Sequence, residues 1–212
     1  MLLLAACTAQ AGGNAGAAAP ESDSPRTSTS RDDIAAADIE VAIFAGGCFW
    51  CTESDFEKVE GVISAVSGYI GGHQDNPTYN EVSAGRTGHT EAVRIEFDTT
   101  QISYEEMLET FWYSIDPTTP DRQFCDRGSQ YRSGIFYLDE DQKAAALQSL
   151  AEIEATKPFS DPIVTEITAA DTFFPAEDYH QDFYKKSPGR YYSYRRGCGR
   201  DARLEQIWGE KK

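Results

Sequence analysis

From residue 39 onwards the sequence predicts an α+β domain, with helices packed on one mainly antiparallel or mixed sheet. Three observations carry this. Candidate elements run strand, helix, strand, strand, helix, strand, helix, strand, so strands follow one another as well as alternating with helices. Ala92 to Phe97 alternates strictly, with Val93, Ile95 and Phe97 on one side and Arg94 and Glu96 on the other, as a half-buried strand does. Ser103-Tyr104-Glu105-Glu106 is a capping box. The helix it opens carries Tyr104, Met107, Leu108, Phe111, Trp112 and Ile115 on one face, a stripe that reads as core.

The first strand candidate is the apolar run Val41-Ala42-Ile43-Phe44. Gly46-Gly47-Cys48-Phe49-Trp50-Cys51 follows, and then Thr52 to Val59, polar with spaced apolar residues, reads as helix. The two glycines mark a strand-to-helix turn and put Cys48 at or just before the first helical turn. Backbone N–H groups there lack intrahelical partners and carry partial positive charge. That stabilises a thiolate and predicts a thiol pKa below about 8.5. Cys51, three residues on, is within disulfide reach of Cys48. Phe49 and Trp50 are placed to wall an apolar pocket beside the sulfur. A buried cysteine among core aromatics is the alternative reading. Half of a zinc site is the other, but zinc commonly takes two such pairs and this chain has one.

Val62-Ile63-Ser64-Ala65-Val66 is the next strand candidate, ended by the glycines of Gly68-Tyr69-Ile70-Gly71-Gly72. Residues 73–90 read as loop. Glu91 has the parity of the apolar side of the strand that follows. If the strand reaches that far, a carboxylate sits at the rim of the core face, where burial raises its pKa and suits it to act as a general acid. Otherwise it is an edge carboxylate turned to solvent. Asp116 to Gln130 is a long loop of the kind that often carries function. Tyr131-Arg132-Ser133 leads into the strand Ile135-Phe136-Tyr137-Leu138. Asp139 then caps a helix with Ala146, Leu147, Leu150 and Ile153 as its buried side, and Ile163 to Ile167 is the last strand candidate. From Phe173 on there is no clear period, which predicts a long irregular C-terminal segment. Within it His180 reads as a loop-packing residue, and Arg190, Arg195, Arg196 and Arg200 as a solvated basic face.

The chain has 212 residues and a formal net charge of −16. That length suffices for one domain with a sizeable core, and that charge argues against nucleic acid and against electrostatic binding to an anionic membrane. Leu4-Ala5-Ala6-Cys7 resembles a bacterial lipobox, although the basic n-region and long apolar h-region of an export signal are mostly missing. Residues 8–37 are rich in Ala, Gly, Ser, Thr, Asp and Pro and read as a flexible tether. The expected organisation is therefore a lipoprotein-type signal remnant and tether over 1–38 and a folded catalytic domain over 39–212. Lipidation of Cys7 would place the protein in the bacterial cell envelope, anchored in the periplasm, rather than in the cytoplasm; a disordered tail without lipid is the alternative. Cys48, Cys51, Cys125 and Cys198 then belong to the folded part. They form either two structural disulfides or a set with at least one redox-active thiol.

Six motifs stand in order along residues 40 to 200: Gly47-Cys48-Phe49-Trp50, Gly68-Tyr69-x-Gly71-Gly72, Pro77-Thr78-Tyr79, Gly88-His89-x-Glu91, Asp126-x-Gly128-Ser129-Gln130-Tyr131-Arg132-Ser133 and Tyr179-His180-Gln181. Together they resemble the A-type peptide-methionine sulfoxide reductases, thiol-dependent oxidoreductases that reverse methionine oxidation. The resemblance implies a two-layer, ferredoxin-like α/β sandwich with a mixed sheet and added segments. It implies reduction of the S epimer of methionine sulfoxide, free or in oxidised proteins. It makes Cys48 the nucleophile and Glu91 the acid, with Tyr79 and Tyr131 hydrogen-bonding the sulfoxide oxygen. Asp126 helps order the site, and Phe49 and Trp50 hold the substrate methyl group.

The chemistry of these residue types agrees. A sulfoxide sulfur is electrophilic only once its oxygen is protonated or strongly hydrogen-bonded, so the site needs a thiolate beside a proton donor. Attack leaves a sulfenic acid, which a second thiol converts with loss of water to a disulfide for a thioredoxin-like reductant to clear. No metal or other cofactor is required, and a monomer is expected. Many members of the family have glycine at the position of Cys51 and a non-cysteine residue at Cys125, and some have two tail cysteines where this chain has Cys198. Cys198, between Gly197 and Gly199, is expected to be the principal resolving thiol, because two glycines let a tail swing over a site. Cys51 is the alternative, held back by the helix that carries it, and Cys125 is disfavoured by the neighbouring Asp126. Two other function classes fit some of the residues: a thiol–disulfide oxidoreductase using Cys48 and Cys51, and a disulfide-stapled binding module. Disulfide exchange has no need of Glu91 or the two phenols, and a stapled module has no reactive thiol.

Overall fold

A computed structural model describes residues 38–209. Cys7, the tether and the expected boundary after residue 38 therefore fall outside or at the edge of the described residues. In chain order the elements are β1 (Ile39–Gly46), α1 (Phe49–Phe56), β2 (Val62–Ile70), α2 (Tyr79–Ser83), β3 (Thr90–Asp98) and α3 (Tyr104–Tyr113). There follow β4 (Arg122–Gln123), β5 (Asp126–Arg127), a 3-10 turn (Ser129–Tyr131), β6 (Ser133–Tyr137), α4 (Glu140–Thr156), β7 (Glu166–Ala169) and β8 (Phe174–Pro175). The chain ends in α5 (Phe183–Lys186), α6 (Pro188–Gly197) and α7 (Arg200–Trp208).

Six strands form one sheet in the order β7-β6-β1-β3-β2-β8, antiparallel except for the β6–β7 pair. The order follows from the two helical crossovers. β1-α1-β2 and β3-α3-β6 each join parallel strands, and each leaves a gap that a strand of the other unit fills. The result, β6-β1-β3-β2, is the ferredoxin-like arrangement the motifs imply. One face of the sheet packs on the helices through Phe44, Val93, Ile95 and Phe97, against Phe56, Met107, Phe111 and Trp112. Phe44 stacks on Phe56 at 5.3 Å and on Phe111 at 4.9 Å between ring centres. Each such side chain, fully buried, is worth about 1.5–3 kcal/mol. The opposite face carries Ile43, Ala45, Ile70, Ala92 and Phe136, covered by Ala170 and Phe173. The unbroken apolar run 41–44 has this cause: both faces of β1 are covered.

Several expectations shift. β2 does not stop at Gly68 but continues to Ile70. Gly68 pairs with Pro175 of β8, and a side chain there would strike the Phe174 carbonyl at 2.5 Å, so the glycine admits an edge strand rather than ending one. The presumed loop 73–90 contains α2, opened by a Thr78–Glu81 capping box in which Glu81 accepts from the Thr78 N–H at 2.9 Å. In α4, Ala146, Leu150 and Ile153 turn inward while Leu147 is 49% exposed, because it sits a third of a turn round from that stripe. The last strand begins at Glu166 and not at Ile163. The C-terminal segment, expected to be irregular, is mostly helical. Only Tyr191 of α6 is buried, so no 3.6-residue period is visible there. The solvated basic face is corrected in part, since Arg190 and Arg196 are exposed but the other two arginines are not. Arg200 is 1% exposed and donates to the Gly46 and Ser114 carbonyls, and Arg195 pairs with Asp55 and Asp201.

Candidate active site

The site is built on the turn between β1 and α1. Gly47 has φ +82°, and its lack of a side chain makes room for Gln123. The Gln123 amide in turn brackets the Asp116 backbone, accepting from its N–H at 2.9 Å and donating to its carbonyl at 2.6 Å. Cys48 is thereby the N-cap of α1, and its carbonyl accepts from the Cys51 and Thr52 N–H groups at 3.0 and 3.3 Å. Cys48 is 7% exposed and Cys51 2%.

β3 begins at Thr90, so Glu91 lies within the strand, opposite Tyr69 and on the core side. Its Oε2 accepts the Phe49 N–H of the first turn of α1 at 3.0 Å. Burial pushes its pKa up to about 8, with the nearby Asp126 and Cys51 adding to the rise and the Phe49 N–H opposing it. Glu91 thus holds a proton at neutral pH beside the helix N-terminus that Cys48 caps.

Two phenols face this carboxyl. Tyr79 opens α2, and its N–H is held by Glu177 at 2.9 Å, whose second oxygen accepts the Tyr69 hydroxyl. Burial, with Glu91 and Cys48 adding, pushes the Tyr79 phenol up to about 12. Tyr131 closes the 3-10 turn; the adjoining Gln130 ties that turn to α2 by donating to the Ser83 carbonyl at 2.9 Å. Burial, then Glu91, Tyr79, Asp126 and Cys48, hold the Tyr131 phenol far above its ordinary value. Both phenols are therefore donors across the neutral range. Asp126, on β5, accepts a hydrogen bond from the Tyr194 hydroxyl, and burial raises its carboxyl.

Phe49 and Trp50 form the apolar wall. Phe49 packs on Tyr79 and His180. Trp50 stacks on Phe183 at 3.8 Å, and its indole N–H donates to His180 Nδ1 at 3.0 Å. Burial lowers the His180 pKa and keeps the ring neutral, as an Nδ1 acceptor must be. His180 therefore does more than pack a loop: it sets the angle of the indole.

The thiols depart from expectation in two ways. Cys48 and Cys51 hydrogen-bond each other. Burial raises the Cys48 thiol, and Cys51 and Glu91 add to the rise. Cys51 is lowered to about 7 by the hydrogen bond from Cys48 and by the Arg200 and Arg195 charges. Of the two thiols Cys51 is therefore the one that holds charge more readily, so the depressed Cys48 pKa expected from a helix N-terminus is corrected. Part of that N-terminus is occupied by Glu91, and the Cys48 sulfur is out of water. Cys198, in turn, is not beside Cys48 but is joined to Cys125, 73 residues away, with 4.9 Å between the α-carbons. The folding of α6 and α7 places Cys198 at the C-cap of α6, over the β4–β5 hairpin. Among the described residues Cys48 and Cys51 are the free cysteines, so a module with every thiol stapled is set aside. Cys125, Asp126 and Cys198 are the one trio of possible metal ligands among the described residues, and both sulfurs are spent in the disulfide.

The structure thus brings Cys48, Cys51, Phe49, Trp50, Tyr79, Glu91, Asp126 and Tyr131 together from five elements. Sequence reasoning missed Glu177 and Tyr194. Both lie in the tail without visible period, Glu177 two residues ahead of the Tyr179-His180-Gln181 motif and Tyr194 among the arginines read as a solvated face.

The model of the family "Peptide methionine sulfoxide reductase" matches residues 40–212. Peptide methionine sulfoxide reductase MsrA of Bacillus licheniformis is 49% identical over 172 residues, spanning 81% of this chain and 95% of that protein. Among solved structures, Mxr1 from Saccharomyces cerevisiae in reduced form superposes with a TM-score of 0.68 at 28% identity, over 73% of this chain and 89% of its own. Methionine sulfoxide reductase A of Corynebacterium diphtheriae superposes with a TM-score of 0.64 at 32% identity, over 71% of this chain and 76% of its own.

Proposed function

The chain belongs to the peptide methionine sulfoxide reductase family and reduces methionine sulfoxide; from that premise we propose that Cys48 attacks the sulfur of the S epimer, free or in a protein, while Glu91 protonates the departing oxygen. The observation that carries this is the protonated Glu91 carboxyl seated at the N-terminus of the helix that Cys48 caps. Tyr79 and Tyr131 donate to the sulfoxide oxygen, and Asp126 orders the site. Phe49 and Trp50 hold the methyl group. Attack joins the two sulfurs; the protonated oxygen then passes to the Cys48 sulfur as the substrate's sulfur–oxygen bond and the new sulfur–sulfur bond break, so methionine leaves and Cys48 carries the oxygen as a sulfenic acid. Turnover of the separated epimers tests the assignment: the S epimer is consumed and the R epimer is not. Equal turnover of both would overturn it.

Cys51 is the better placed resolving thiol, ahead of Cys198. Its sulfur already contacts Cys48 and titrates near neutrality, at about 7. Its thiolate attacks the sulfenic sulfur, the Cys48–Cys51 bond forms, and hydroxide leaves to become water. Both sulfurs are then almost wholly buried, whereas Cys125 is exposed. Exchange with a reduced Cys125/Cys198 pair would carry the disulfide outward, where a thioredoxin-like dithiol can reach it. Disulfide mapping after one equivalent of substrate should find Cys48–Cys51 forming as fast in Cys198→Ser as in wild type. A sulfenic acid that persists on Cys48 in that variant would return the resolving role to Cys198.

Export and lipid anchoring through Cys7 belong to the same proposal. They are supported by Leu4-Ala5-Ala6-Cys7 ahead of the polar stretch 8–37. Expressed from the complete genomic reading frame, the protein should partition into detergent and carry a diacylglyceryl mass on Cys7. An unmodified Cys7 on a cytosolic product would exclude the anchor.

A further inference from the structure

Tyr194 has no role in the reaction as described, yet it reaches the centre of the site. Its hydroxyl donates to Asp126 Oδ2 and lies within hydrogen-bonding distance of the Cys48 sulfur. Its ring stands edge-on to Trp50 at 5.8 Å. It comes from α6, which also buries Tyr191 beside Cys51 and Phe183 and pairs Arg195 with Asp55 of α1.

A further restraint on the tyrosine is covalent. The Cys198 N–H donates to the Tyr194 carbonyl at 2.8 Å, so Cys198 sits one helical turn below the tyrosine. Cys125 immediately precedes Asp126, and its sulfur lies 3.6 Å from Asp126 Oδ1. The Cys125–Cys198 disulfide therefore clamps together the two backbone segments that carry the Tyr194–Asp126 pair. We propose that Tyr194 is a third phenol of the active site, which holds Asp126 and stabilises the Cys48 thiolate, and that the Cys125–Cys198 disulfide keeps it in register.

The phenol has one proton and two acceptors. In the empty site it goes to Asp126. When substrate calls for charge on Cys48, the same O–H turns to the sulfur and draws onto Cys48 the charge that Cys51 otherwise holds more readily. Reduction of the outer disulfide by a dithiol takes two electrons and two protons, yields two thiols, and frees α6 from the hairpin. The phenol is then no longer aimed. In this way the outer redox couple sets the readiness of the inner one.

The inference rests on Cys48 being the attacking thiol, so its test includes a reading that needs no substrate. The titratable groups facing Cys48 are Cys51, Glu91, Tyr79, Tyr131, Asp126 and Tyr194. The rate of Cys48 alkylation against pH, followed by mass spectrometry of the full chain, reports its thiolate directly. Tyr194→Phe keeps the ring on Trp50 and removes the hydroxyl alone. Its alkylation midpoint should rise by about one pH unit, and its single-turnover rate should fall about 10- to 100-fold, the usual worth of a hydrogen bond to a charged group, with KM unchanged. Cys125→Ser/Cys198→Ser should show part of the same shift, and adding Tyr194→Phe to it should cost less than in the wild-type background. A wild-type alkylation profile in Tyr194→Phe overturns the role of the phenol. Losses that simply add overturn the role of the disulfide. A normal alkylation shift with no sulfoxide turnover in any variant would count against the reductase reading and not against this one.

Discussion

Cys48→Ser is expected to abolish sulfoxide reduction and to leave the fold intact. The argument runs from the site inward. The sulfoxide sulfur accepts a nucleophile only while its oxygen is being protonated, and Glu91 carries a single proton for that step. A serine hydroxyl would need a base to give up its own proton, and the carboxyl beside it is already protonated. Tyr79 and Tyr131 offer no base either, being phenols held in the donor form. Oxygen at this position is also a far weaker nucleophile than a thiolate. The fold survives because the side chain is close in size and α1 takes its first hydrogen bonds from the Cys48 carbonyl, which serine keeps. The measurement is turnover with dithiothreitol as reductant, beside a circular-dichroism melt. Activity above about a tenth of wild type in a folded variant would remove Cys48 from the reaction.

Glu91→Gln slows the chemical step by about 10²–10⁴-fold, the usual size of a general-acid contribution. The amide can still accept the Phe49 N–H, so the helix start is preserved while the proton is lost. The pH dependence has a definite sign. On the proposed mechanism Glu91 acts in its protonated form, so the single-turnover rate should fall as pH rises through about 8, and the variant should lack that limb. Stability moves the same way. The unfolded chain releases this proton near about pH 4.3 and the folded protein only near about 8. The group's contribution is fully present below the first value and is lost as pH climbs to the second. Glutamine has no proton to lose, so denaturant titrations should show a flatter dependence of stability on pH across that window. An unchanged single-turnover rate constant would exclude Glu91 as the acid.

Local sequence determined a good deal of this protein. The capped helix at Ser103, the alternation of β3 and the strand–Gly-Gly–helix turn at Cys48 are each legible in spacing over a few residues, because caps, parity and glycine turns leave local marks in the chain. The parity of Glu91 matched the core side, since a strand has only two faces, but whether the strand reached residue 91 stayed open until the structure began β3 at Thr90. The six motifs were enough to name the family.

What only the tertiary structure decided lies between elements. Whether Glu91 would be buried depended on α1 packing across β3. The thiol pKa order inverted because burial and the Cys51, Arg200 and Arg195 neighbours outweigh the helix terminus, and the arginines arrive from a tail 144 or more residues away in sequence. That tail gave no periodic signal, having few buried residues, yet it delivers Arg200, His180 and Tyr194 to the site. The pairing of Cys125 with Cys198 was equally unreadable. A disulfide is a statement about distance in space, and four cysteines in a sequence allow three ways to pair; the packing of α6 over the β4–β5 hairpin selects one bond and leaves Cys48 and Cys51 free.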